Sequence, residues 1–125
     1  KLRLEEVAGG TVRGTADGGP GGVALTSAAH SLANDEDFTV AYVVDLAEDK
    51  HSIYLNGALL SETTSAGFGA TFFSAAVGSD PRIARRTDGT FPFGGELGAV
   101  NVYREAVRPS DIATMHRQAV EGALS

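Results

Sequence analysis

Asp88-Gly-Thr-Phe-Pro-Phe-Gly-Gly-Glu-Leu-Gly-Ala-Val-Asn-Val-Tyr-Arg-Glu-Ala-Val-Arg-Pro-Ser-Asp-Ile-Ala-Thr-Met-His-Arg117 is the stretch on which the reading of the fold turns. A turn delivers aromatic residues into Gly94-Gly95, and Val100 and Val102 then stand two apart, the spacing that puts both on one face of a strand. Pro109-Ser110-Asp111 follows with helix-start chemistry: Ser110 is the expected cap, and Asp111 is favoured at the positive end of the helix. Ile112, Met115 and Val120 give this helix a weak apolar stripe, and Gly122 is its expected end.

Upstream of that stretch the chain reads as a series of short strands. Leu2 and Leu4 alternate with charged neighbours over Lys1 to Val7, Gly9-Gly10 ends the run, and Thr11 to Ala16 forms a second strand around Val12. Asp17-Gly-Gly-Pro-Gly-Gly22 is a turn, with no side chains to pack; no helix start or lysine follows it, so it is not a phosphate loop. Val23 to Thr26 is a third strand. Phe38 to Asp45 is the strongest, with Phe38, Val40, Tyr42 and Val44 on one face and Ala41 and Val43 on the other, which predicts an interior strand covered on both sides. Asn56-Gly57 stands between Ser52–Leu55 and Ala58–Ser61, and both positions of a two-residue hairpin turn must accept positive φ, so a tight hairpin is expected there. Phe72 to Gly78 reads as a further strand, and Ser79 to Pro92 as a long irregular crossing. The expected core is Val40, Val44, Ile53, Leu55, Val77, Leu97, Val100 and Val102.

Composition bounds the possible functions. A chain of 125 residues fits one domain with one core, and a hydrophobic share of 42% is ordinary for a globular domain. Sixteen acidic against ten basic residues give a formal charge of -6, so the average field repels a phosphate backbone and nucleic acid is not an expected partner. No apolar run approaches membrane-spanning length, and membrane insertion is not expected. Cysteine is absent, which removes disulfides and thiolate metal sites.

Two ordered blocks in this chain resemble the laminin-G-like domains of the concanavalin A-like jelly-roll class. In the first, Phe38-Thr-Val-Ala-Tyr-Val-Val-Asp45 precedes Ile53-Tyr-Leu-Asn-Gly57, similar to that family's strand and Leu-Tyr-Val-Asp-Gly hairpin. In the second, Phe93, Gly95, Leu97, Val100, Val102, Tyr103 and Ala106 match the closing Phe-x-Gly-x-Ile-Asp-x-Val-x-Ile-Tyr-x-Arg-Ala-Leu segment. Phe38 and Thr39 replace the family's Trp and His, and Gly98 replaces its Asp. The resemblance implies an all-β antiparallel jelly-roll sandwich with one short C-terminal helix, residues 1–125 forming a single domain that lacks the family's opening strands. It further implies a glycan or a protein surface as partner, and an extracellular, cell-surface or virion-surface location. The Lys1–Val7 edge is then expected to be covered by a neighbouring domain or by another copy in a homo-oligomer.

Candidate chemistry is sparse. Arg82, Arg85, Arg86, Asp88 and Phe91 form the least explained polar cluster, and the planar forks of the arginines suit a carboxylate on an acidic sugar or a partner. Asp35-Glu36-Asp37 could belong to a calcium loop, but it lacks the spaced glycine and glutamate of such a loop, so no cofactor is expected. His30, His51 and His116 show no metal-ligand spacing. The paired carboxylates of sandwich glycosidases have no counterpart, nor does a Gly-x-Ser-x-Gly elbow. The expected function is non-catalytic: a binding or adhesion module of a larger protein. A structural assembly module, such as a phage appendage or bacterial surface domain, is the second reading, and a glycoside hydrolase fragment the third.

Overall fold

The computed structural model describes residues 2–7, 10–16, 23–32, 36–64, 98–103 and 105–124, and every statement below concerns those residues. Six strands and one helix follow in order: β1 (Leu2–Val7), β2 (Thr11–Ala16), β3 (Val23–Thr26), β4 (Val40–Asp45), β5 (Lys50–Leu55), β6 (Ala58–Thr64) and α1 (Pro109–Leu124). They make two three-stranded antiparallel sheets, ordered β1-β2-β3 and β4-β5-β6. Among the described residues the fold is therefore all-β with one C-terminal helix. Each described strand pairs with its neighbour in sequence, so both sheets are meanders, and the crossed-over order of a jelly roll is not seen among these residues.

The first sheet is set by short-range register. Val7 faces Thr11 across a turn at Gly10, whose φ of +70° is the left-handed conformation that glycine adopts without penalty. Alternation along β2 turns Val12 and Gly14 inward, and β3 contributes Leu25. Beyond β3 the ladder is prolonged by Ser27. Its amide donates to the Val12 carbonyl at 2.8 Å, and its hydroxyl accepts from the Val12 amide at 2.9 Å, so a buried serine completes the backbone pairing.

The second sheet is organised by the Asn56-Gly57 hairpin. Asn56 and Gly57 have φ of 50° and 81°, the doubly left-handed pattern of a two-residue turn, with Leu55 opposite Ala58. The turn is tied down from outside: the Thr39 amide donates to Asn56 Oδ1 at 3.0 Å and the Asn56 amide donates to the Thr39 carbonyl at 2.9 Å. A register shift between Ile53 and Tyr54 leaves Leu60 as the extra residue of a bulge, since Leu59 faces Tyr54 and Ser61 faces Ile53. Leu60 consequently packs against the core with Val12, Leu25, Ile53, Val40 and Tyr42. Burial of Val12, Leu25 and Ile53 contributes about 1.5–3 kcal/mol each.

The two sheets approach closely at Gly14, which lies beneath the Tyr42 ring. A Cβ at position 14 would stand 2.7 Å from Tyr42 Cζ and closer still to Cδ2 and Cε2. Tyr42 is held there by its hydroxyl, 2.8 Å from His51 Nδ1, and the two rings meet edge-on with centroids 5.9 Å apart. Burial pushes the Tyr42 phenol up to about 12 and depresses the fully buried His51 imidazole, so both are neutral near pH 7. A second bridge joins the sheets where the Ala28 amide donates to Ser61 Oγ at 2.9 Å.

Several sequence-based expectations are corrected. The strand expected at Val100 and Val102 does not form; residues 98–103 are irregular, and Val100, Val102 and Tyr103 are 52%, 85% and 51% exposed. Alternation makes a segment fit a pleat, but a ladder also needs a neighbouring edge, and these residues pair with none. Strand β4 lies at the edge of its sheet and is half-buried throughout, and β5 is the central, most buried strand. Of the expected core, Ile53 is fully buried, Val40, Val44 and Leu55 are half-buried, and Val77 and Leu97 lie outside the described residues, as does the strand expected at Phe72 to Gly78. Phe38 precedes β4 and is 41% exposed.

The ends of α1 also differ. The Arg108 carbonyl accepts from the Asp111 and Ile112 amides, so Arg108 takes the cap position and Pro109 is the first helical residue, where its missing amide costs nothing. Ser110 is therefore inside the helix, and Gly122 does not end it. Ile112 is buried, Met115 half-buried and Val120 exposed, which narrows the apolar stripe to its first turns.

Gly14→Ala is expected to cost about 1–3 kcal/mol by overpacking against Tyr42, read as a lower denaturant midpoint; in a Tyr42→Ala background the same change should cost little, because the obstructing ring is gone. The depressed His51 imidazole has its own pH signature. Above the ordinary histidine range both folded and unfolded forms are neutral; below about pH 6.5 the unfolded chain takes up a proton that the fold resists, so stability falls as pH drops toward the lowered folded value. Denaturation midpoints across pH 7 to 5, compared with His51→Gln, should show the steeper decline in the parent protein.

A polar cleft on the outer face of the second sheet

Because strand residues alternate, Ala41, Val43 and Asp45 of β4 and Lys50, Ser52 and Tyr54 of β5 face away from the core that holds Tyr42, His51 and Ile53. The bulge decides what joins them from β6. With an unbroken register set by the Leu55–Ala58 pair, Glu62 would face His51 and point to the core side. The extra residue shifts it opposite Ser52, on the outer face. Ser52 Oγ then donates to Glu62 Oε2 at 2.9 Å, and the Lys50 ammonium lies 3.9 Å from the same oxygen.

The segment before α1 passes over this face and closes a cleft. Its floor is Val43, Asp45, Lys50, Ser52, Tyr54 and Glu62; its other wall is Ala106, Val107, Arg108 and Pro109; its volume is about 170 Å³. Ser52 and Tyr54 are 3% and 6% exposed, far more covered than an outer sheet face would be without that wall. Asp45 Oδ1 accepts from the Ala47 and Glu48 amides at 3.1 and 3.2 Å, which fixes the turn at the mouth. Arg108 is turned toward the helix, its Nε 3.1 Å from Asp111 Oδ2. Burial raises the Tyr54 phenol, and the Glu62 carboxylate raises it further, so Tyr54 keeps its proton. The side chain is largely buried, but its hydroxyl is open to the cleft and makes no hydrogen bond among the described residues. On the far side of the same wall lies a wider, open depression of about 640 Å³ lined by Tyr103, Val107, Met115 and polar residues including Glu105, Thr114 and Gln118.

The cleft offers donors and acceptors but no relay for nucleophilic chemistry. Ser52 is next to His51 in sequence, yet the two face opposite sides of the sheet, so the imidazole cannot take the hydroxyl proton. His30 Nδ1 accepts from the Leu32 amide at 3.3 Å, and His116 Nδ1 is 2.7 Å from Thr39 Oγ1. Among the described residues no three His, Cys, Asp or Glu side chains converge as a metal site, and no helix is long and apolar enough to cross a membrane.

Arg82, Arg85, Arg86, Asp88 and Phe91, the residues singled out from the sequence, all lie outside the described residues. The residues the structure does bring together were not singled out from the sequence. The hairpin turn gives the pairing of Leu55 with Ala58, but nothing in Ala58-Leu-Leu-Ser announces the bulge that carries Glu62 to Ser52.

No known protein family matches this sequence, and no curated protein does. Among solved structures, an S-layer domain-containing protein from Clostridium thermocellum is similar at 16% identity and a TM-score of 0.45; the match takes in 92% of this chain and 55% of that one.

Ser52→Ala is expected to lower stability by about 1 kcal/mol, since it strips a partner from Glu62. Tyr54→Phe removes a hydroxyl that bonds to none of the described residues and should leave the denaturation midpoint unchanged or slightly higher. Urea titrations of the two variants side by side would check the contrast.

Proposed function

We propose that this domain is a non-catalytic binding and adhesion module of a larger protein on a cell or virion surface, recognising a glycan or a protein surface through the outer face of β4-β5-β6. The observation that carries the reading is Tyr54: a largely buried side chain lining the cleft, with a protonated hydroxyl that no described residue engages. A polar group that opens onto a cleft with no protein partner can bond an incoming ligand in place of water. The separation of Ser52 from His51 supports binding over catalysis. The surface location follows from the likeness of Phe38–Gly57 to laminin-G-like domains. On an array of immobilised neutral, amino and acidic glycans and surface proteins, the labelled domain should bind at least one class, release no cleavage product detectable by mass spectrometry, and lose binding on Tyr54→Phe. A silent array, or product release, overturns the reading.

A second reading, an assembly module acting through subunit contacts, is favoured by one separate observation. Val100, Val102 and Tyr103 form an exposed apolar run beside the open depression. Three such residues in one short segment are a surface that contact with another subunit would cover. Light scattering after size exclusion should then show a concentration-dependent oligomer that Val102→Asp dissociates. A monomer at every concentration removes this reading.

A further inference from the structure

We propose that the cleft between the outer face of β5 and the segment ahead of α1 is a subsite for a single sugar ring that carries no carboxylate. The proposal rests on the binding reading above and narrows its ligand. The valences left open in the cleft define the guest. Tyr54 supplies a hydroxyl with no partner among the described residues. Glu62 takes both of its contacts on Oε2, and Asp45 takes both of its own on Oδ1, so each carboxylate keeps one oxygen to accept a further hydrogen bond. The ammonium of Lys50, 3.9 Å from Glu62, retains donors. A guest must therefore both donate and accept at closely spaced points, which is what adjacent hydroxyls on a ring do.

Size and charge exclude the neighbouring chemistries. About 170 Å³ equals about five or six waters at roughly 30 Å³ each, room for one ring and not for two. Val107 and Pro109 offer apolar wall opposite the polar floor, suited to the C–H face of a ring whose hydroxyls point the other way. Arg108 is held by Asp111, which leaves the carboxylates of Asp45 and Glu62 facing the single ammonium of Lys50. A carboxylate on the guest would be repelled by that excess, and an amino group would be favoured. This selectivity is opposite to the one expected of the arginine cluster at Arg82, Arg85 and Arg86.

The test is saturation-transfer difference NMR on the 125-residue chain with the methyl glycosides of glucose, galactose and mannose, with glucosamine, and with glucuronate as separate probes. At least one neutral methyl glycoside or glucosamine should give transfer at millimolar concentration, and glucuronate should bind at least about tenfold more weakly. Tyr54→Phe should weaken the productive probe by about tenfold, the size of one hydrogen bond, and Lys50→Met, which removes the ammonium beside Glu62, should weaken glucuronate further. No transfer from any neutral or amino probe, a preference for glucuronate, or undiminished transfer to Tyr54→Phe each overturns the proposal. If glycan-array binding is lost on Tyr54→Phe while all five single-ring probes are silent, the ring subsite falls and the binding reading stands. A silent array together with silent probes removes both.

Discussion

The contact between Gly14 and Tyr42 is the constraint on which the rest of this structure depends. Two small meanders, each with one inward face, can hold together only if their inner residues meet closely, and three fully or largely buried aliphatic side chains make a modest core. The absent side chain of Gly14 lets an aromatic ring from the other sheet settle onto backbone, adding the area of a large side chain to that core without a facing residue to displace. The ring is kept in place by its hydroxyl on His51, a residue of the neighbouring strand and diagonal to it across the ladder. A buried imidazole and a buried phenol would each be a liability alone; bonded to one another, they turn two desolvated polar groups into a fixed orientation for the ring.

How much of this was legible in the sequence depends on how local each cause is. Asn56-Gly57 demands two left-handed residues in succession, a property of those two residues, and the hairpin appears where it was read. Strand β3 and the helix likewise follow from neighbouring side chains alone. Val100 and Val102 failed because their alternation describes only a segment's own shape, and pairing requires an edge elsewhere in the chain. The prominence of β4 has a similar cause: apolar residues on both faces suggest a central place, but Tyr42 uses its face to reach the opposite sheet, and among the described strands the central position belongs to β5, a strand with Lys50, His51 and Ser52 in it.

The cleft was illegible for a sharper reason. It depends on one extra residue in β6, and the side-chain period of a strand is two, so a single insertion exchanges the faces of everything beyond it. Leu59, exposed, and Leu60, turned to the core, are identical in type and adjacent in sequence; only the ladder distinguishes them. The same insertion directs Ser61 inward to meet the Ala28 amide and Glu62 outward to meet Ser52, so one irregularity both links the sheets and assembles the polar face. The arrangement of the site and the closure of the core are thus consequences of a single backbone event.

The seat of the C-terminal helix bears on the order in which the molecule is assembled. A Cβ at Gly57 would meet His116 Cβ at 3.1 Å and Ala113 Cα at 3.2 Å, and Thr39 reaches His116 across 77 residues of chain. Closing so long a loop is entropically costly, and it is compensated only when its target already exists. That target, the tip of a two-residue hairpin fastened by Thr39 and Asn56, is among the most local structures in the protein. Sequence separation thus favours β4-β5-β6 forming before the helix docks on the turn, and because the cleft's outer wall is the segment that leads into this helix, the cleft closes only once the helix is seated.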